Sequence, residues 1–406
     1  MTLTAQEAKE IAKDGRIDGL VNQIIEGNAL DVMADMPAES VNCMITSVPY
    51  WGLRKYNCPV QWPDGWFGEL GLEPTIELYI EHLMMVFDQA KRVLRKDGIC
   101  FVNIGDSYGG HRVSKQWAEN APNKKLADSV WRMDCRDNQY LAASQPMQKG
   151  LPDKAMCNIP EKFCIAMEQH GWIKRCNIIW AKGLSFCDKY SGSCMPDSAK
   201  DRPNKNSFEW VYMFTKSKHY WYEQQFEEAA YDGRNDTTLK PTDMYSGRNF
   251  TPQKMEREPM ERWPNELGRT IRNVWAINPQ PFPDAHFATF PEKLVEPMIK
   301  MGCPEFVCKK CGKAREKIYD VDYISAGGKG QEKYGDNTPN DGSNPGPQGM
   351  KHGRANAQRI EMGYTDCGCN AGWRSGVTLD CFRWFWNSRC SGSQIKTRLY
   401  PDRIAA

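Results

Sequence analysis

Residues 41–52 form an apolar run that ends in a short polar and aromatic turn, Val41-Asn42-Cys43-Met44-Ile45-Thr46-Ser47-Val48-Pro49-Tyr50-Trp51-Gly52. A nearly continuous apolar run of this length is typical of a strand buried on both faces, as in a parallel sheet. In open α/β sheets, ligands bind beyond the carboxyl ends of such strands. The stretch therefore predicts a central strand whose end is a candidate functional site.

The chain on both sides of this strand alternates between strand and helix patterns. A strand into a turn is expected at 23–30, and a helix at 75–96, where apolar residues recur every three or four positions and Gly98 follows as a stop signal. Four further segments continue the alternation: a strand at 99–104, a helix at 159–169, and strands at 173–180 and 209–215. This order predicts an α/β fold with a mostly parallel sheet.

Composition sets the class of protein but not its function. The 406 residues, 40% of them apolar, suffice for one large core with insertions. The net charge of +2 shows no basic excess, so binding to nucleic acid has to be argued from motifs. No apolar run approaches the about 20 residues of a membrane span, and the charged N-terminus is unlike a secretory signal. We expect a cytoplasmic protein whose 16 cysteines are reduced thiols or metal ligands.

The segment 46–54 resembles the T-S-P-P-Y-W-G-L-R motif of beta-group DNA amino-methyltransferases, which act on cytosine N4 or adenine N6. The resemblance implies a Rossmann-like fold with circularly permuted motif order, S-adenosylmethionine as cofactor and double-stranded DNA as partner. An aromatic amine is a poor nucleophile until acceptors on its hydrogens localise the lone pair. By resemblance, Ser47 and the carbonyl of Val48 are these acceptors, Pro49 stiffens the loop, and Tyr50 stacks on a flipped base.

The resemblance continues in order along most of the chain. It includes a strand ending at Asp106, the segments 171–182 and 208–217, and the stretch 285–294. It implies that the following residues bind the cofactor: Asn28, Asp106, His286, Thr289, Phe290, Pro291, Asp380 and Phe382.

Two departures from the family pattern bear on activity. Val48 stands where the family has proline, so we expect impaired positioning of the base. Asn28 stands where the family usually has aspartate, and it keeps only a neutral carbonyl acceptor for the adenine amine of the cofactor. Because the serine-type motif is more often associated with cytosine, N4 of cytosine is the preferred target over N6 of adenine.

The glycine-rich loop of the family is missing where the motif order predicts it. Residues 376–382 match the family strand that precedes this loop, but the next residues are Arg383-Trp384-Phe385-Trp386-Asn387-Ser388-Arg389. Glycines are needed there because the backbone turns tightly against the ligand. Since tryptophan has the single codon TGG, a one-base shift makes Trp384 and Trp386 encode glycine, and the whole stretch can then encode F-G-G-S-G-T. We therefore hypothesise a frameshift near Phe382.

Three alternatives follow from these observations. Methylation of RNA or of protein glutamine uses related N-P-P-Y motifs, but those enzymes normally place the glycine loop first. An inactive DNA-binding remnant is the second alternative, because the loop is missing. An independently evolved tail is the alternative to a frameshift.

Two cysteine pairs have the spacing of a metal site. Cys308-Lys309-Lys310-Cys311-Gly312 is half of a zinc knuckle, and Cys367-Gly368-Cys369 supplies a second pair. Four thiolates around tetrahedral Zn²⁺ require two such pairs, so structural zinc is predicted at Cys308, Cys311, Cys367 and Cys369. Cys303 is an alternative to one member of the second pair, and free thiols are the alternative to a metal site.

The remaining features set the expected organisation. Isolated histidines, His82 among them, have no ligand spacing and are expected to be structural. A cognate restriction endonuclease, in a phage or restriction-modification setting, is an implied partner. The expected order is a catalytic core over 1–222 with an inserted loop at 107–155, a target-recognition segment over 223–272, a cofactor-covering region over 273–302, a zinc-ribbon-like insertion over 303–370, and an altered cofactor-loop region over 371–406.

Overall fold

The computed structural model describes residues 2–13, 15, 17–52, 58–109, 151–152, 155–187, 206–227, 269–279, 291–324, 356–382 and 394–395. The chain forms two compact units. The first comprises Met1–Gln224, Arg272–Arg315 and Cys367–Ala406, and the second comprises Gln225–Ile271 and Glu316–Asp366. The domain boundaries expected from the sequence remain predictions.

The described helices are α1 (Ala5–Ala12), α2 (Ala29–Asp35), α3 (Ile76–Val93), α4 (Ile159–Gln169) and α5 (Glu292–Gly302), with a 3₁₀ turn at Asp18–Leu20. The described strands are β1 (Thr2–Thr4), β2 (Ile24–Glu26), β3 (Val41–Ser47), β4 (Val60–Gln61), β5 (Phe67–Gly68), β6 (Leu94–Ile104), β7 (Ile173–Ala181), β8 (Phe208–Thr215), β9 (Phe226–Glu227), β10 (Arg269–Thr270), β11 (Val274–Ala276), β12 (Val307–Cys308), β13 (Lys317–Ile324), β14 (Asn356–Tyr364), β15 (Trp373–Arg374), β16 (Thr378–Leu379) and β17 (Gln394–Ile395).

A six-stranded sheet is the centre of the first unit, with the strand order β11-β7-β8-β6-β3-β16. Every neighbouring pair in it is parallel except the two pairs that β8 makes with β6 and β7. The predicted α/β fold with a mostly parallel sheet is therefore confirmed, and β8 is its one reversed strand. Strand β3 is buried along its length up to Ser47, as its apolar composition predicts.

Helix α3 packs against this sheet and begins where the sequence predicts. The side chain of Thr75 accepts a hydrogen bond from the Leu78 amide at 3.2 Å and caps the amino end of the helix. The expected end was wrong: the helix stops at Val93, and Gly98 lies inside strand β6. A Cβ at Gly98 would lie 2.8 Å from the Asn42 backbone oxygen, so glycine permits a close approach between β6 and β3.

Strand direction brings the candidate residues to one edge of the sheet. Strands β3, β6 and β16 are parallel, so their carboxyl ends meet there. Because β8 runs the opposite way, its amino end reaches the same edge, and Trp210 pairs with Ile104. This edge carries Ser47, Asn103, Glu209 and Asp380.

The remaining described strands form smaller sheets. The first unit contains a three-stranded sheet β1-β2-β17 and the pairs β12-β15 and β4-β5. The second unit contains the antiparallel pairs β9-β10 and β13-β14. Within the described part of the chain, no helix has the length and apolar character needed to cross a membrane.

Candidate active site

The turn after β3 is held tightly at the sheet edge. Val48 and Trp51 are buried, and the Val48 amide donates a hydrogen bond to the Asn103 backbone oxygen at 3.3 Å. The Tyr79 hydroxyl donates to the Pro49 backbone oxygen at 2.7 Å. The Ser107 hydroxyl donates to the Trp51 backbone oxygen at 2.8 Å. The loop is therefore fixed through its backbone, from both α3 and the end of β6.

The Asn103 side chain joins the two hydroxyl groups of this turn. Its Oδ1 lies 3.2 Å from Ser47 Oγ and 3.1 Å from the Tyr50 hydroxyl oxygen, and its Nδ2 donates to the Trp210 backbone oxygen at 3.1 Å. Because Nδ2 is committed to a carbonyl, Oδ1 must be the atom that faces Ser47. The serine hydroxyl then donates its only proton to Asn103. Its oxygen lone pairs remain available as acceptors for an incoming N–H group.

Tyr50 is held by a charged pair on the neighbouring strands. Its hydroxyl donates to Glu209 Oε2 at 2.7 Å, and Lys182 forms an ion pair with the other carboxylate oxygen. A carboxylate at this distance is a stronger acceptor than the Asn103 amide, so the phenol proton lies on the Glu209 side. Burial, together with the negative charge of Glu209, raises the pKa of Tyr50 well above its usual value. The phenol therefore stays neutral, and its ring has a fixed orientation.

Asp380 connects β3 to the segment that precedes residues 383–389. Its Oδ1 accepts hydrogen bonds from the Thr46 hydroxyl at 2.7 Å and from the Phe382 amide at 3.1 Å. The Phe382 ring is buried and lies 6.3 Å from that of Phe87. Residues 376–382 thus lie beside β3, and Asp380 binds Thr46, the residue before Ser47.

The other predicted cofactor ligands have structural partners of their own. Asn28 caps α2 by accepting from the Leu30 amide at 3.0 Å. Asp106 accepts from the backbone amides of Ser107, Asn158 and Ile159 at 2.9 to 3.0 Å, and so ties the end of β6 to the start of α4.

Several predicted residues cannot be placed in this geometry. Pro291 caps the amino end of α5 without a side-chain hydrogen bond. His286, Thr289, Phe290 and the stretch 383–389 lie outside the described residues.

The four predicted metal ligands converge. The Sγ atoms of Cys308, Cys311, Cys367 and Cys369 all lie within 4.8 Å of one another. Four thiolates at the usual Zn–S distance would have their sulfurs about 3.8 Å apart. Hydrogen bonds from the backbone of Cys311 and Lys310 lower the pKa of Cys308 to about 6, whereas hydrogen bonds with Cys311 and Cys367 raise the pKa of Cys369 to about 12, so the proximity of the four sulfurs is what supports a metal site.

The sequence did not single out three residues of this site. Asn103, Lys182 and Glu209 lie in segments that match the family, but none has a spacing that marks it as functional. Their hydrogen bonds cross from β6 to β3 and from β7 to β8, between residues far apart in the chain. The available signals were a polar residue inside each of two apolar strands, Asn103 in β6 and Glu209 in β8, and a lysine directly after a third, Lys182 after β7.

Comparison with known proteins identifies relatives of this chain. Residues 41–312 match the DNA methylase family of N6 and N4 methyltransferases. The Type II methyltransferase M.Cfr9I of Citrobacter freundii is 33% identical over 277 residues, which cover 68% of this chain and 71% of that protein. The Type II methyltransferase M.SmaI of Serratia marcescens is 29% identical over 283 residues, covering 69% and 75%.

Solved structures give more distant matches. The PvuII DNA methyltransferase (cytosine-N4-specific) is 16% identical, with a TM-score of 0.38 over 69% of this chain and 70% of that chain. A Thermus thermophilus protein described as a DNA modification methylase, solved with S-adenosyl-L-methionine, is 17% identical, with a TM-score of 0.31 over 68% of this chain and 72% of that chain.

Proposed function

Because this chain belongs to the family of S-adenosylmethionine-dependent DNA amino-methyltransferases of the restriction-modification type, we propose that it methylates the exocyclic amine of a base flipped out of duplex DNA. The preferred target is N4 of cytosine, and N6 of adenine is second. The observation that best supports this proposal is the orientation of the Ser47 hydroxyl. Asn103 holds it as an acceptor, at the sheet edge where Asp380 begins the cofactor-loop region.

The residues of the loop have distinct roles in this proposal. Ser47 Oγ and the Val48 carbonyl accept the two hydrogens of the amine, which localises its lone pair toward the methyl donor. The neutral ring of Tyr50 stacks on the flipped base, and Glu209 keeps the ring in place through its hydroxyl. Positioning of this kind accounts for most of the catalysis that such a site provides.

The described residues fit part of the cofactor. S-adenosylmethionine supplies an electrophilic methyl group when bound. Asp380 and Phe382, which lie beside β3, are residues that would hold the cofactor. Asn28 has a second lone pair on Oδ1 for the adenine amine, since one is used to cap α2. Asp106 has less freedom, because three backbone amides already bind its carboxylate.

The altered loop decides between an active enzyme and a remnant. The catalytic strand, at 41–47, precedes the cofactor-loop strand, at 378–379, which supports the circularly permuted order proposed for this chain. The stretch after Phe382 lacks the glycines that a tight turn against the cofactor requires. A frameshift there would weaken cofactor binding and leave the catalytic edge in place. The DNA-binding remnant is therefore the second candidate function.

Zinc and DNA complete the proposal. The convergence of Cys308, Cys311, Cys367 and Cys369 supports structural zinc, which would close the segment between α5 and β16. The target-recognition segment is proposed at 223–272, and the implied partners are duplex DNA and a cognate restriction endonuclease.

The test begins with the DNA of cells that express the chain. Mass spectrometry of digested DNA should detect N4-methylcytosine, and sequencing of modified bases should place it in one short sequence. The Ser47→Ala variant should reduce the modification about a hundredfold, as loss of one preorganised hydrogen-bonding group at a reacting centre typically does. Calorimetry then separates the two candidates: micromolar binding of S-adenosylmethionine supports the enzyme, whereas DNA binding without cofactor binding supports the remnant.

A further inference from the structure

A buried histidine lies behind the catalytic loop, in a cluster that the methyl-transfer chemistry does not use. The His82 side chain on α3 is fully buried. Its Nδ1 lies 2.9 Å from Glu73 Oε1, and its Nε2 lies 3.1 Å from Asp64 Oδ2. The Trp62 ring stacks on it at 3.9 Å between centroids and an interplanar angle of 14°, and the Trp66 ring at 5.2 Å and 29°.

With both carboxylates ionised, this geometry fits a protonated ring. A neutral imidazole has one N–H, whereas both nitrogens of His82 face carboxylate oxygens that accept and do not donate. The imidazolium satisfies both, and the faces of two indoles stabilise its charge. Burial lowers the pKa of His82, but hydrogen bonds to Glu73 and Asp64 outweigh this effect and raise it above the usual value. The cluster is thus a cation held between two anions in a largely apolar enclosure.

The cluster continues into the backbone of the catalytic loop. Glu73 Oε2 accepts from the Gly71 amide at 2.8 Å, and the Glu73 backbone oxygen accepts from the Trp51 indole at 2.9 Å. The Gly71 oxygen in turn accepts from the Gly52 amide at 2.7 Å. Gly71 has a φ of +94°, and a Cβ there would approach the Tyr50 backbone oxygen to 3.1 Å. The segment 69–73 is therefore packed directly against residues 50–52.

We propose that His82 is a positioning residue for the catalytic loop, acting through Glu73 as a charged clamp. With His82 protonated, the Glu73 carboxylate is fixed, and Glu73 fixes Gly71 and Trp51. The clamp supplies rigidity to a loop in which Val48 stands where the family has proline. The catalytic role of this loop rests on the proposed function, whereas its positioning by His82 and Glu73 rests only on these contacts.

Hydrogen exchange measured by mass spectrometry tests the clamp without any need for activity. In His82→Gln, amides in the peptide covering 48–52 should exchange about tenfold faster, while peptides from β6 and β8 keep their protection. The matched control is His170→Gln, because His170 contacts Asp88 at 3.0 Å on the surface and is remote from the loop. It should leave every peptide unchanged. Loop exchange equal to wild type in a folded His82→Gln protein overturns the proposal.

A second variant covers the case in which His82→Gln fails to fold. Asp64→Asn removes one carboxylate from the cluster, at a side chain that is 30% exposed, so the core tolerates it. It should accelerate exchange of the loop about threefold with β6 and β8 unaffected, and an unchanged loop overturns the proposal. If methyl transfer is measurable, kcat should fall with the KM for DNA unchanged. A wild-type protein without methyl transfer counts against the proposed function alone, since exchange reports on the clamp directly.

Discussion

The ion pair between Lys182 and Glu209 gives a prediction that is independent of catalysis. The perturbation is a pair of neutral, similarly sized substitutions, Glu209→Gln and Lys182→Met, made singly and together. In the wild type the two side chains retain only 11% and 14% of their exposed area, and Lys182 also lies 4.5 Å from the Trp180 ring centroid. Each single substitution leaves a buried charge without this counter-charge.

The magnitude follows from the burial of the pair. Charges in contact attract by about 4 to 5 kcal/mol at an effective dielectric constant of about 20, and much of that offsets their desolvation. Removing one partner of a buried pair typically costs about 3 to 5 kcal/mol. Because some water reaches both groups here, we expect about 2 to 3 kcal/mol for each single variant. The double variant has no buried charge at this site and should cost about 1 to 2 kcal/mol, mainly from weakening the Tyr50 hydrogen bond.

Urea unfolding followed by tryptophan fluorescence measures these differences. The double-mutant cycle should give a coupling of at least about 2 kcal/mol. The control is the same cycle on Glu296 and Lys300, an exposed pair four residues apart on α5 whose atoms lie 2.6 Å apart. That cycle should give about 0.3 to 0.5 kcal/mol. Strictly additive effects at Glu209 and Lys182, or a coupling no larger than that of the surface pair, would refute the reasoning.

Three further predictions concern the metal, the loop and pH. Purified protein should contain about one equivalent of zinc, and replacement by cobalt should give the absorption of tetrahedral thiolate ligation. Cys311→Ser should abolish zinc binding and the cobalt absorption, whereas the control Cys187→Ser should change neither. Less than half an equivalent of zinc in the wild type contradicts the site. Val48→Pro should raise the methyl-transfer rate a few-fold, limited by loss of the amide that donates to Asn103, and an unchanged rate contradicts the expected defect. The pKa of His82 is raised, so the stability that this side chain contributes is present at pH 6 and is lost as the pH rises through the folded value. The urea midpoint of the wild type minus that of His82→Gln should therefore fall between pH 6 and pH 8, and a difference that rises contradicts it.

The sequence predicted the α/β fold with its mostly parallel sheet, and it put the candidate site at the carboxyl end of β3, because both depend on local pattern. The apolar run of β3 and the helical periodicity of α3 are readable from neighbouring residues. The end of α3 was misplaced because a glycine after a helical pattern usually marks its stop. Here Gly98 is used for the close approach of two backbones, a tertiary requirement that a local pattern does not contain.

The polar networks could not be predicted, because each joins residues from separate strands. Asn103 would be an ordinary polar interruption of β6 if β3 did not pair with it in this register. His82 was expected to be a structural histidine without ligand spacing. Its two carboxylate partners lie nine and eighteen residues earlier, in a segment with irregular backbone. Only the folded chain brings these groups together.

The hydrogen bonds at the candidate site help to explain how the stretch after Phe382 came to differ from the family. A buried polar group that loses its hydrogen-bond partner costs about 1 to 3 kcal/mol of stability. Substitutions that remove one such partner at a time therefore destabilise the protein even when the site has no function. Ser47, Asn103, Tyr50 and Glu209 form a connected set of hydrogen bonds, and Asp380 still binds Thr46. The departures from the family are single residues at Val48 and Asn28 and a continuous stretch after Phe382. A single shift of reading frame would account for the continuous stretch after Phe382, but not for Val48 or Asn28. The codons after Phe382 therefore provide the decisive check: a one-base change must restore a glycine loop, and codons that do not allow it exclude the frameshift.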